Sequence, residues 1–279
     1  MKTVLVVANE TLGGRPLLER IKQMAAADDI RVVVCVPRTN PRQGNVIYDE
    51  AVFDAAQVRI DLARKVLREE GVEATGEVGD PDPYTATLDA IAEHKPDQVV
   101  ISTFPAASSG WLRRDLIERI QEATSVPVEH VVVDLDQEGL PFGVTLAVAN
   151  RTAASDTFLE ALQAKVSEDE RRVFIFVVPQ EAGHGIGARQ ARARLTQVID
   201  RARAAGLICA GMIGDPDPYT AIVNAVQFFR VSDIVISTLP ETRSGWLRAD
   251  LIDRVRKATN VPVEHVAATD PDTAAAPAA

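Results

Sequence analysis

The sequence predicts an α/β fold in two tandem copies, each a five-stranded parallel sheet with helices on both faces. Three observations carry that prediction: a long motif occurs twice, strand-like and helix-like segments alternate, and the strand-like segments are apolar on both sides. The motif Gly79-Asp80-Pro81-Asp82-Pro83-Tyr84-Thr85-Ala86 recurs unchanged as Gly214-Asp215-Pro216-Asp217-Pro218-Tyr219-Thr220-Ala221. The register then holds without a gap, through Ser109-Gly110-Trp111-Leu112-Arg113 against Ser244-Gly245-Trp246-Leu247-Arg248 and Val126-Pro127-Val128-Glu129-His130 against Val261-Pro262-Val263-Glu264-His265. A repeat of this length sets the domain organisation before any other feature is read. Copy 1 is expected over residues 1–137 and copy 2 over 143–268, with the turn residues Gly139, Pro141 and Gly143 between them and a flexible tail over 269–279.

Within copy 1, residues 2–8 form an unbroken Val-rich run, the pattern of a strand buried on both faces. Leu17, Leu18, Ile21 and Met24 then share one face of a helix over 16–27. Residues 31–36 are a second strand. A long helix over 49–70 follows, with Val52, Ala55, Val58, Leu62 and Val66 in step and Gly71 as its stop. After a third strand at 72–78, Asp82 offers an N-cap oxygen and Pro83 suits the first helical position. A helix over 83–93, a strand over 98–102, a helix over 111–124 and a strand over 128–133 complete the copy. Copy 2 repeats the order from 144 to 268. Such alternation means parallel strands joined by right-handed helical crossovers, a Rossmann-like arrangement.

The chain has 279 residues, 46% hydrophobic and 25% charged, with a formal net charge of −10. So acidic a chain has no electrostatic reason to seek nucleic acid or an anionic membrane. The basic stretch from Arg189 to Arg203 has acidic neighbours and is expected to be a solvated helix face. Cys35 and Cys209 sit inside apolar runs, away from metal-ligand spacing, and are expected to be buried free thiols. The opening residues run straight into a strand, with no signal-peptide pattern, and no apolar run is long enough to span a bilayer.

In an open α/β sheet, ligands bind beyond the carboxyl ends of the strands, where strand order reverses. The loops expected there carry Asn9, Val36, Ser102, Thr103, Ser109, Gly110 and Arg113 in copy 1. Their counterparts are Asn150, Val178, Ser237, Thr238, Ser244, Gly245 and Arg248. Hydroxyls, a glycine and an arginine at the start of the predicted helix over 111–124 make an anion site, because helix-terminal N–H groups are free there. An Arg113–Asp115 ion pair fixing the loop is the structural alternative. Trp111 and Trp246 read either as packing for the last helix or as a pocket wall. The Asp80 to Ala86 motif reads as a rigid turn and cap, which leaves Tyr84 unexplained. Glu129-His130 and Glu264-His265 read as strand-edge polar residues, with a metal shared between the copies as the alternative.

The order of elements, the Gly-Asp-Pro turn before the third helix, and the final helix leading to Val-Pro-Val resemble the universal stress proteins. The resemblance covers nearly the whole chain. It implies small cytoplasmic domains of the stress response that bind ATP or AMP, here fused in tandem. It also implies that the two copies pack as an intramolecular counterpart of a family homodimer, and it leaves pairing of two chains open. The nucleotide-binding members carry G-x2-G-x9-G-[S/T] after the fourth strand. The first two glycines fall at Ser102 and Pro105, and at Ser237 and Pro240; the later Gly-Ser pair falls near Arg114-Asp115 and Ala249-Asp250. Glycine lets backbone N–H groups approach phosphate, and proline lacks the N–H altogether. The family's acidic residue after the first strand falls at Asn9 and Asn150, which keep its hydrogen-bonding shape without its charge.

Three functions follow as expectations. The first is a tandem protein that acts by binding a small anionic ligand or a partner. The second is an enzyme acting on a phosphorylated or anionic metabolite through the Ser/Arg loop. The third is a scaffold with idle pockets. Catalysis has little in the sequence to support it, since there is no nucleophile elbow, P-loop or zinc-protease helix.

Overall fold

The computed structural model describes residues 1–38, 49–112, 115–166, 171–181, 186–240, 245–248 and 250–269, without the side chains of Asp49, Leu247 and Arg248. The chain divides into two compact units, one over Met1–Asn40 and Val52–Pro141, the other over Pro41–Ala51 and Phe142–Ala279. In the first, β1 (Lys2–Val7), β2 (Ile30–Pro37), β3 (Glu73–Gly79), β4 (Gln98–Thr103) and β5 (Val128–Val132) alternate with α1 (Arg15–Ala27), α2 (Asp49–Glu69), α3 (Pro83–His94) and α4 (Leu116–Ala123). A short α5 (Leu135–Glu138) follows. In the second, β6 (Gly143–Val148), β7 (Arg172–Pro179), β8 (Ile208–Gly214), β9 (Asp233–Thr238) and β10 (Val263–Ala267) alternate with α6 (Asp156–Gln163), α7 (Ile186–Ala204), α8 (Pro218–Phe228), α9 (Gly245–Arg248) and α10 (Leu251–Ala258).

Both sheets are parallel, in the orders β3-β2-β1-β4-β5 and β10-β9-β6-β7-β8. This is the predicted doubly wound α/β fold. Strand order reverses between β1 and β4 and between β6 and β9, which places a crevice at each of those carboxyl ends. The central strands are apolar because helices cover both faces: Leu5, Val6, Val7 and Val34 are fully buried, as are Leu146, Ala147 and Val148.

The repeated Gly-Asp-Pro motif behaves as a turn and cap. Asp82 accepts from Thr85 N and Asp217 from Thr220 N, while Asp80 and Asp215 accept from the amides of Asp82 and Asp217. Tyr84, which the cap does not use, lies under the Arg119 guanidinium at 4.1 Å, and Tyr219 lies under Arg254 at 4.2 Å. These cation–π contacts tie the third helix of each copy to the last one.

The predicted helix over 111–124 is broken. Trp111 and Leu112 lie in a turn, Asp115 takes left-handed dihedrals (φ 49°), and α4 starts only at Leu116. In copy 2 the four-residue α9 precedes Asp250 at φ 50°, and α10 starts at Leu251. A left-handed residue cannot continue a right-handed helix, and aspartate tolerates that conformation better than most side chains. The helix N-terminus expected beside Ser109 and Gly110 therefore sits further along the chain.

Gly79 shows how closely strand and helix approach. A Cβ there would fall 2.8 Å from both Ala86 Cβ and Cys35 Sγ. Gly79→Ala is expected to destabilise copy 1 by about 1–3 kcal/mol through overpacking, and Asp82→Ala by about 1 kcal/mol through loss of the cap. Chemical denaturation should show the midpoint fall with the slope preserved. An unmoved midpoint for Gly79→Ala would mean that the helix lifts away at no cost.

Candidate functional site

The asparagines after the first strand of each copy tie two strand ends together. Asn9 Nδ2 donates to Pro37 O at 2.9 Å, and Asn150 Nδ2 to Pro179 O at 3.1 Å. Their Oδ1 atoms differ. Asn9 Oδ1 is buried without a hydrogen-bond partner among the described residues, whereas Asn150 Oδ1 accepts from Arg194, which also holds Glu181 at 2.7 Å.

In copy 2 this corner opens into a cleft of about 260 Å³ lined by Asn150, Arg151, Thr152, Glu181, Ser237, Thr238, Leu239, Gly245 and Trp246. It lies at the predicted place, beyond the carboxyl ends of β6 and β9. Ser237 Oγ and Thr152 Oγ1 are buried there without hydrogen-bond partners among the described residues, on residues only 1% and 2% exposed. Ser102 Oγ is unpartnered in the same way in copy 1, but Thr11 Oγ1, the counterpart of Thr152, donates to Ser102 O.

Of the other residues predicted from sequence, Thr103 and Thr238 are already engaged. Each hydroxyl donates to the next residue's carbonyl, Phe104 O and Leu239 O. With its one proton committed, each must accept from a ring nitrogen, His130 Nε2 at 2.9 Å and His265 Nε2 at 2.8 Å. Each histidine therefore carries its proton on Nε2. Val36 and Val178 are core residues. Ser109 Oγ accepts from Leu112 N and so stabilises its own loop. Gly110 and Gly245 face open space, and neither has a positive φ. Trp246 forms a wall of the cleft, while Trp111 packs half-buried against the copy 1 core, so the two readings of the repeated tryptophan divide between the copies. Arg113 and Ser244, like the side chain of Arg248, fall outside the described residues.

The Glu-His pairs sit in β5 and β10, where successive side chains point to opposite faces. Glu129 is held by Arg20 and Gln98, and Glu264 by Lys165, while each histidine faces its threonine. Neither pair converges on one ion from within its own copy.

Arg194 is a residue that the sequence reading missed. Nor is the basic stretch of α7 only a solvated face: Arg194 reaches Asn150, and Arg201 bonds Ala154 O and Asp156. The signal was present, because the gapless register that pairs Gly71 with Gly206 also pairs Arg59 with Arg194. Burial pulls the Arg59 guanidinium down to about 10, with Glu10 opposing the shift, so it stays charged at neutral pH.

No protein-family model matches the chain, and no curated protein matches it. Among solved structures, a universal stress protein in complex with cAMP is 18% identical, covering 47% of this chain and 96% of its own, with a TM-score of 0.34. A universal stress protein from Archaeoglobus fulgidus DSM 4304 is 16% identical over 96% of this chain and 97% of its own, with a TM-score of 0.35. A functionally unknown protein from Pseudomonas aeruginosa PAO1 is 16% identical over 95% and 93%, with a TM-score of 0.30. The fold and the crevice define an α/β protein with two Rossmann-like sheets. Universal stress proteins recur among the solved structures it resembles.

Burial holds the His130 and His265 imidazoles below the ordinary histidine value of 6.5; Glu118 opposes the shift at the first and Arg256 adds to it at the second. Below pH 6.5 the unfolded chain then binds more protons than the folded one, so stability rises with pH through this window and is lost as pH falls. Melting temperature is expected to drop between pH 7 and 5.5, and His130→Gln with His265→Gln to flatten that drop. An unchanged slope in the double variant would assign the loss to other groups.

Proposed function

We propose that the chain is a tandem universal-stress-protein-like protein that acts by binding, and that copy 2 holds a compact anionic ligand at the carboxyl ends of β6 and β9. The observation that carries this reading is the pair of buried, unpartnered hydroxyls, Thr152 Oγ1 and Ser237 Oγ, on the lining of a cleft. A buried polar group without a partner costs about 1–3 kcal/mol, and a polar ligand would remove that cost. Arg151 lines the cleft and Arg194 reaches its Asn150 and Glu181, so guanidinium donors suited to an anion stand at this corner. At about 260 Å³ the cleft is slightly smaller than the usual ligand pocket of roughly 300–1,000 Å³. It suits a small phosphorylated group better than a whole dinucleotide. Binding is preferred to catalysis because Glu181, the one carboxylate among the described lining residues, is committed to Arg194 and is a poor general base.

A place in the stress response and in the cytoplasm belongs to this reading through the sequence resemblance alone; among the described residues no helix is long and apolar enough to cross a membrane. Fold likeness does not select the ligand.

The test is a thermal-shift series with ATP, ADP, AMP, cAMP and inorganic phosphate, with and without magnesium. A ligand at a hundredfold excess over its dissociation constant should stabilise the fold by about 2.7 kcal/mol. Thr152→Val with Ser237→Ala is expected to leave the free protein at least as stable as before, since it deletes buried unpartnered hydroxyls, and to abolish the ligand shift. A flat response across the whole series, or a shift that survives the double variant, would overturn the reading.

A further inference from the structure

Away from the cleft, copy 1 gathers three metal-ligating side chains: Glu77 on the edge strand β3, and Glu93 and His94 in the last turn of α3. One ligand atom from each lies within 4.8 Å of the others. His94 Nε2 is 3.1 Å from Glu77 Oε2, yet it is buried and meets the geometry of no hydrogen bond. The ring nitrogen and the carboxylate oxygen thus face one another without an N–H directed between them. That arrangement suits two donors of electron pairs sharing one acceptor.

The second copy shows what the fold itself requires at this place. In the gapless register set by Gly79 and Gly214, Glu77, Glu93 and His94 correspond to Met212, Phe228 and Phe229. Those three residues are 4%, 5% and 7% exposed, and the two phenyl rings pack 6.2 Å apart. An apolar trio fills the position without difficulty, so the ionisable trio of copy 1 is not a demand of the scaffold. The two helices also end differently. α8 stops at Phe228, whereas α3 runs one equivalent residue further and keeps His94 helical beside Glu93. The carbonyl end of a helix carries partial negative charge, which adds to the attraction for a cation.

We infer that Glu77, Glu93 and His94 form a binding site for a divalent transition-metal ion, joining β3 to the end of α3. One imidazole nitrogen with two carboxylate oxygens is a borderline donor set. It fits Zn²⁺ and its first-row neighbours, and it selects against Mg²⁺, which prefers oxygen ligands in a strict octahedron. Two carboxylates balance the charge of the ion, and water completes the coordination.

The experiment is calorimetric titration of EDTA-treated full-length protein with ZnCl2, and separately with MgCl2. About one zinc ion per chain is expected in the tight class of sites, with no response to magnesium at the same concentration. His94→Gln should weaken zinc binding by at least about tenfold. The variant Glu77→Met, Glu93→Phe, His94→Phe, which installs the copy 2 residues, should lose the site while far-UV circular dichroism remains unchanged. Should that triple variant fail to fold, the single His94→Gln substitution decides. Absence of zinc binding by the native chain, or equal affinity in His94→Gln, would overturn the assignment; in the latter case the zinc is held by other residues.

Discussion

The arrangement depends first on one hydrogen bond made twice. The side-chain amide of the asparagine after the first strand reaches across to the carbonyl of the proline that ends the second, from Asn9 to Pro37 and from Asn150 to Pro179. It is made at the corner where strand order turns back and the sheet can no longer satisfy its own backbone. The proline carbonyl at that strand end is an acceptor to be satisfied, and the asparagine amide supplies the donor. The same side chain then has its Oδ1 left to dispose of. In copy 2 that oxygen recruits Arg194, and through it Glu181. The polarity of the cleft thus descends from a structural tie.

On this common frame the two copies have been filled differently. Leu17, Val32 and Val34 in copy 1 stand where copy 2 has Phe158, Phe174 and Phe176. Two of those rings meet edge to face at 6.3 Å, an arrangement worth about 0.5–1.5 kcal/mol beyond burial. The cap motif, by contrast, is unchanged letter for letter. Its hydrogen bonds are local and exposed, so it is insulated from changes in core volume. Copies that share backbone geometry but not side-chain volume can keep one topology and still carry different chemistry.

Much of the fold could be read from residue order because its determinants are local. Unbroken Val-rich runs mark strands covered on both faces, and Asp82-Pro83 marks a helix start. The break before α4 was not legible, because a left-handed aspartate leaves no trace in periodicity: Trp111 and Leu112 are as apolar as a helix start would require. Part of the crevice was legible. Asn150, Ser237, Thr238 and Gly245 do line the cleft, whereas Thr152 and Glu181 on its lining, and Arg194, which holds Asn150 and Glu181, were overlooked. Glu181 lies two residues beyond its strand, and Arg194 lies midway along a helix read as solvated. What brings them together is the packing of α7 over the sheet. The exact register of the repeat, which pairs Arg59 with Arg194, was the one sequence clue to that convergence.

The two cysteines complete the comparison. Cys35 and Cys209 are fully buried thiols outside any disulfide, one in each unit. Burial drives the Cys35 thiol up to about 12, with Glu77 and Asp89 adding to the effect, and its Sγ lies 3.7 Å from Ala86 O. Neither thiol is chemically available while its unit is closed. Each half of the molecule therefore carries its own silent tag, and modification by a thiol reagent records how often that half opens. Peptide mapping would separate the two tags, giving each half its own opening clock within a single intact chain.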